Sequence, residues 1–237
     1  MKSFKSYISL EEQSAVTSHG EPTAQQYRIM QKSHEILPVD SAQGLISAPP
    51  SSSSDETRAE LMELQDRLEL GTDNKKMLDK WDLDLLAPFV KYLKDNNLRY
   101  DKELLNDIIN ASTVVILKQK YLFDRPRPGI VAKDMGLPLS PLKSGTADSP
   151  AYPSGHSGQS RLIALYLTGL HRNHSKSFLD LAEECGQSRL NAGLHYPSDH
   201  EAGVELGNKL YSSMKMDETK KIKYKDLPAP PTGMEGY

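Results

Sequence analysis

Apolar residues recur along this chain at the three- and four-residue spacing of helices, and nowhere does an apolar/polar alternation persist as it would in a strand. Leu61, Leu64 and Leu68 form the first stripe; Ser53 with Glu56 three residues later predicts a capping box at its start, and Gly71 predicts its end. A second stripe carries Trp81, Leu86, Phe89, Val90 and Leu93, with Pro88 marking a helix start or a kink. From Asp101 onward, Leu104, Leu105, Ile108, Ile109, Val115 and Ile116 predict a long helix reaching about Leu122. Arg125-Pro126-Arg127-Pro128 should end it, because a residue before proline is driven out of the helical region. Lys120 then falls on the last turn and Arg127 on the loop after it. Residues 129–152, rich in Gly, Pro and Ser, read as one long loop, and further helices are expected over about 157–170, 176–192 and 197–214.

These elements predict an all-α protein, a compact helical bundle within residues 49–215. Residues 1–48 are polar and broken by Gly20, Pro22 and Pro38, which reads as a loosely packed N-terminal extension. Residues 216–237 are charged and then proline-rich, a flexible tail. At 237 residues, one domain of ordinary size plus extensions accounts for the chain.

The formal charge of −3 gives no electrostatic case for nucleic acid, so any basic site must be local. Cys185 is the single cysteine, which excludes an intrachain disulfide and suits a small buried side chain on a helix. The opening MKSFKSYISLEEQS lacks the apolar core and cleavage site of a secretory signal. The longest uncharged apolar runs, 108–117 and 162–170, fall short of the ~20 residues that span a bilayer. The expectation is therefore a cytoplasmic protein with no membrane span; a homo-oligomer is left open.

Three islands carry the chemistry: K-x6-R-P, P-S-G-H at 153–156, and S-R-x5-H-x3-D from Ser188 to Asp199. They bring several cations, a Ser-Gly helix opening and two histidines into one ordered set, the donor inventory for a tetrahedral oxyanion such as phosphate. In order and spacing the islands resemble the type 2 phosphatidic acid phosphatase superfamily, which includes soluble bacterial acid phosphatases, membrane lipid phosphatases and vanadium haloperoxidases. The likeness covers Lys120 to Asp199 and extends loosely to Pro49-Pro50.

The resemblance implies a metal-independent phosphomonoesterase of the soluble, acid phosphatase-like branch, acting on a small phosphorylated substrate through a phosphohistidine. Lys120, Arg127 and Arg189 would neutralise the three equatorial oxygens of the transferring group. Ser154 and Gly155 would offer backbone donors at a helix start, with Gly155 allowing close approach. His195 would be the nucleophile, Asp199 would fix its tautomer, and His156 would protonate the leaving oxygen and then deprotonate water. No metal or other cofactor is needed for this, and vanadate should bind as an inhibitor. Leaving-group selectivity is expected in loops such as 129–152. His19, His34, His171, His174 and His200 take structural readings.

Two alternatives remain. Lys118 with Arg125-Pro126 also satisfies K-x6-R-P. The pair Lys120 and Arg127 is preferred because soluble acid phosphatases similarly show an aromatic residue, then Arg, then Arg-Pro, here Phe123, Arg125 and Arg127-Pro128. The function could also be that of a vanadium-dependent haloperoxidase, with vanadate as cofactor, or of a catalytically silent phosphate-binding protein. Pro150-Ala151-Tyr152 looks like the haloperoxidases, but those are longer and carry tryptophan near the Arg-Pro island, whereas Trp81 is the single tryptophan here.

Overall fold

The computed structural model describes residues 18–37 and 44–214, and among them it contains helices and turns but no strand. The helices are α1 (Ala24–Met30), α2 (Asp55–Leu70), α3 (Asn74–Trp81), α4 (Ala87–Asp95), α5 (Lys102–Phe123), α6 (Pro128–Asp134), α7 (Gly155–Leu170), α8 (Ser175–Asn191) and α9 (Pro197–Ser213). The periodicity thus gives the right class and the right order for the long elements. None of the helices among the described residues is long and apolar enough to cross a membrane.

Local chemistry corrects several boundaries. Ser54, not Ser53, caps α2: its hydroxyl accepts from the Thr57 amide at 3.1 Å, while Ser53 is paired with Ser51. The second apolar stripe is two helices, because α3 stops at Trp81 and Asp84 turns the chain by accepting from the amides of Leu86 and Ala87. Pro88 then sits in the first turn of α4, where its missing N–H costs nothing. At the far end of α5 the stop is Asp124, one residue before the Arg-Pro pairs, in the left-handed conformation (φ 48°) usually left to glycine. The 129–152 segment is not all loop, since Pro128 opens the short helix α6.

The expectation of a loosely packed extension fails for its described part. Thr23 and Gln26 form a capping box that starts α1, α1 lies along α5, and Ile36, Leu37 and Ile46 are buried in the main core. Asp124 holds the strand-like entry to α1, its carboxylate accepting from Ser18 and from the amides of His19 and Gly20. Pro38 and the 216–237 tail lie outside the described residues.

The core centres on α7, which packs against α5, α8 and α9. Leu105, Ile108, Leu162, Leu167, Phe178 and Leu206 are completely enclosed, and each aliphatic or aromatic side chain so buried contributes about 1.5–3 kcal/mol. Close approach of α7 and α9 depends on glycine. A Cβ on Gly203 would stand 2.5 Å from the Ser154 carbonyl, and one on Gly207 2.6 Å from the Gly158 carbonyl. That contact brings the start of α7 against the start of α9, where the Ser154 amide donates to the Asp199 carbonyl at 2.9 Å.

Candidate active site

The start of α9 explains the H-x3-D spacing. Tyr196 is the N-cap, Pro197 opens the helix, and Asp199 in the first turn reaches back so that its Oδ2 accepts from the Tyr196 amide at 2.9 Å. The same oxygen lies 3.1 Å from Nδ1 of His195, the residue before the cap. A carboxylate only accepts, so Nδ1 carries the proton and Nε2 is left with a lone pair. Arg127 Nη1 donates to that Nε2 at 3.0 Å. Burial first, then the positive charges of Arg127, Lys120 and Arg189, hold His195 well below its ordinary range, so the ring is neutral.

Arg127 and Lys120 are fixed by backbone carbonyls of the segment before α7 and, for Arg127, by that of Leu194 before α9. Arg127 donates through Nε to Ser149 and through Nη1 to Leu194, at 2.7 and 2.9 Å, which leaves Nη2 for a ligand. Lys120 donates to the carbonyls of Pro150 and Ala151. Burial, and next the neighbouring Arg127, push the Lys120 ammonium well below its usual range. Burial likewise brings the Arg127 guanidinium down to about 10. Both cations are thus under a load that a bound anion would relieve.

The opening of α7 supplies different donors from those expected. The Ser154 amide is engaged by Asp199, so the open amides are those of Gly155 and His156. Ser154 Oγ accepts from the amide and hydroxyl of Ser157, so its own proton is free for an anion. A Cβ on Gly155 would meet only ordinary contacts, 3.5 Å from Ile116. His156 Nε2 donates to the Trp81 carbonyl at 3.2 Å, leaving Nδ1 to exchange a proton, and burial followed by Arg189 lowers the ring to about 3.

Arg189 is placed less simply. Its Nη1 donates to Asp82 Oδ1 at 2.7 Å and its Nη2 to Ser144 and Thr146, while Nε is buried with no partner. Asp82 also accepts from Ser144, Gly145 and Thr146; burial opposes its charge, but these donors together with Arg189 hold the carboxyl well below the carboxylate range.

Lys120, Arg127, Gly155, His156 and His195 line one cavity of about 450 Å³, with Asp82 on its wall. Ser154, Asp199 and Arg189 stand behind it. The rival pair does not enter: Lys118 is half-buried elsewhere on α5, and Arg125 is locked between carboxylates, donating to Asp199 Oδ1 at 2.7 Å and to Glu60 Oε2 at 2.9 Å. Arg125 also lies over the Tyr196 ring at 3.7 Å. Asp82, Glu60 and the structural part of Arg125 were not visible in the spacing, since their partners lie 65 to 107 residues away. Among the described residues no group of three or more His, Cys, Asp or Glu side chains is disposed to hold a metal ion. Cys185 is fully buried, its thiol pushed up to about 12 by burial. His200 is also buried, 2.9 Å from the Ser157 hydroxyl.

The sequence profile of the PAP2 superfamily matches residues 104–210, a span containing all eight residues singled out for the site. No curated protein sequence matches the chain. Among solved structures, a bacterial vanadium-dependent iodoperoxidase aligns with TM-score 0.57 and 20% identity over 74% of this chain and 53% of its own, which shows the shared fold. The chain therefore spans about half the length of that enzyme. A transmembrane PAP2-type phosphatidylglycerolphosphate phosphatase from Bacillus subtilis aligns at TM-score 0.49 and 18% identity, over 68% of this chain and 85% of its own.

Proposed function

We propose, on the match of the PAP2 superfamily profile to residues 104–210, that this chain is a phosphomonoesterase working through a phosphohistidine on His195. The observation that carries this reading is the state of the His195 ring: Asp199 holds the proton on Nδ1, and Nε2 presents its lone pair to a cavity with Lys120 and Arg127 on its wall. An entering phosphate dianion takes Arg127 from Nε2, and the freed nitrogen attacks phosphorus in line. The N–P bond forms as the ester P–O bond breaks, and the leaving oxygen takes a proton from His156. Bound phosphate raises the proton affinity of that ring, which burial and then Arg189 depress. Water, deprotonated by His156, then attacks phosphorus and frees His195.

Lys120, Arg127, the Nε of Arg189 and the open amides of α7 neutralise the charge in both steps. Hydrolysis of an aryl phosphate in excess chelator, with phosphate trapped on His195 by alkaline quench, is the test. Activity that disappears with the chelator and returns with a divalent ion would overturn the metal-independent scheme. Vanadate should compete with substrate, because its trigonal-bipyramidal form resembles the transition state. Brisk peroxide-dependent halide oxidation with vanadate and negligible phosphatase activity would instead assign vanadate as cofactor.

A further inference from the structure

The cavity is much larger than the phosphate it is built to hold. At about 450 Å³ it falls in the range of pockets that enclose whole organic ligands. Its shape follows α5. The lining positions Asn106, Ile109, Thr113, Ile116, Leu117 and Lys120 keep to one face of that helix over 14 residues, about 21 Å at 1.5 Å per residue. The opposite wall is Ile29 and Gln26 of α1 with Leu85 and Leu86 of the 82–86 turn. Residues 129–152 contribute Thr146, Asp148 and Ser149 to the lining, and α1, from the N-terminal extension, forms part of the wall.

The walls have a definite chemistry. Among the described residues Lys120 and Arg127 are the cations on the groove wall, with Asp148 near them and Asp84 farther off, while Lys91, Lys94 and Lys102 line an adjoining pocket that shares Asp84, Leu86 and Asn106. The amide nitrogen of Gln159, at the groove's base, is already engaged by Thr113 at 2.9 Å and by the Ile109 carbonyl. Ile116, Leu117 and Leu86 are nearly inaccessible to bulk water, as a dry wall requires. A second anionic group held between the phosphate and that adjoining pocket would meet carboxylates and aliphatic carbon, with no lysine or arginine of the described groove lining to pair with, a costly placement. An uncharged chain would meet surfaces it can leave water for.

We propose that this groove holds the organic part of the substrate, and that it selects monophosphate esters of uncharged, extended alcohols over esters carrying a second negative charge. The proposal rests on the phosphatase reading for its turnover but not for its binding. Each methylene withdrawn from water contributes about fourfold in affinity, so a six-carbon chain partly enclosed by the groove should gain at least ~10-fold over a methyl group.

The test compares methyl phosphate, hexyl phosphate and 6-phosphonooxyhexanoate by kcat/KM, and methylphosphonate with hexylphosphonate by calorimetry, which needs no turnover. Hexyl compounds should lead methyl by ~10-fold or more in both measurements, with the gain in KM, and the ω-carboxylate should fall back to the methyl value or below. Ile109→Trp, filling the groove remote from the phosphate, should erase the hexyl advantage, read as the ratio of hexyl to methyl phosphate kcat/KM. Ile29→Trp repeats this from the other wall should the first variant fold poorly. Equal affinities for the two phosphonates, or a carboxylate tolerated as well as a methyl end, would overturn the groove assignment. Tight, length-dependent phosphonate binding without hydrolysis of any ester would overturn the phosphatase reading and leave the groove standing.

Discussion

Arg125 and Arg127, two residues apart, grip opposite ends of the Asp199–His195 pair: Arg125 donates to Asp199 Oδ1 at 2.7 Å, and Arg127 donates to His195 Nε2 at 3.0 Å. One orients the carboxylate that fixes the tautomer, and the other stands at the nitrogen that we propose attacks phosphorus. Their alternation across Pro126 explains why two overlapping K-x6-R-P matches occur in the sequence while a single arginine faces the cavity.

Substitution should separate these roles. Arg127→Ala removes an oxyanion donor and should lower kcat on an aryl phosphate by about 10²-fold or more with little change in melting temperature. Arg125→Ala strands two buried carboxylates, Asp199 and Glu60, and should cost about 3–5 kcal/mol in denaturant unfolding. Arg125→Lys should recover part of the stability but lose the fork that spans both carboxylates. An Arg125→Ala protein as stable as the parent would show that this buried pairing contributes nothing.

The close contact of α7 and α9 makes a second prediction. Gly203→Ala would drive a methyl group against the Ser154 carbonyl, which stands 2.5 Å from the ideal Cβ position. The helices must part, stretching the bond from the Ser154 amide to Asp199 and moving both histidine-bearing segments. Overpacking of this kind costs about 1–3 kcal/mol. The variant should therefore lose both stability and kcat, whereas Gly136→Ala, at a turn with open space around its Cβ position and strained only by its positive φ, should lose stability alone. Unchanged kcat in Gly203→Ala would show that the spacing of these helices does not set the site.

Much of this was legible beforehand, and for a physical reason. Long helices announce themselves through apolar period, so α2, α5, α7, α8 and α9 are readable, and a site whose residues sit at helix ends inherits fixed spacings such as His195 to Asp199. What was illegible depends on distance along the chain. Asp82 meets Arg189 across 107 residues and Glu60 meets Arg125 across 65, with no periodicity to signal either pairing. The seven-residue α1 is too short for a stripe, and only Thr23 with Gln26 betrays its start. The neutral state of His156 follows from burial, which no motif records.

Buried histidines also set the acid limit of stability. Burial lowers His156, His195 and His200 from 6.5 in the native state, so below that pH the unfolded chain binds protons that the native chain does not. The histidines' contribution should be flat above about pH 6.5 and should fall as the pH drops below it, by about 1.4 kcal/mol per pH unit for each fully enclosed ring. Asp82, held low in the native state, adds to the loss only below its ordinary range near 3.8. Melting followed from pH 8 to 5 checks this, and His195→Asn should flatten the slope by up to one proton. A melting temperature that rises on acidification through this window would contradict the neutral assignments.

The two histidines differ in the step they serve, and pH exposes the difference. His195→Ala leaves no nucleophile, so aryl and alkyl phosphates should both fail. In the first step of the proposed mechanism His156 matters only where the leaving oxygen needs a proton; nitrophenolate needs little, an alkoxide needs one fully. Since the ligand-free His156 ring sits near 3, the transition state for an alkyl ester takes up one more proton than that for an aryl ester. The ratio of kcat/KM for alkyl over aryl phosphate should accordingly rise as pH falls from 7 to 5, by up to about tenfold per unit, while titration of the substrate phosphate largely cancels between the two. In His156→Ala that ratio should be low and independent of pH, and because no base remains to deprotonate water, phosphoenzyme should accumulate on the aryl substrate and survive an alkaline quench. A flat ratio in the parent protein, or phosphate trapped on His156 in place of His195, would reverse the roles given to these rings.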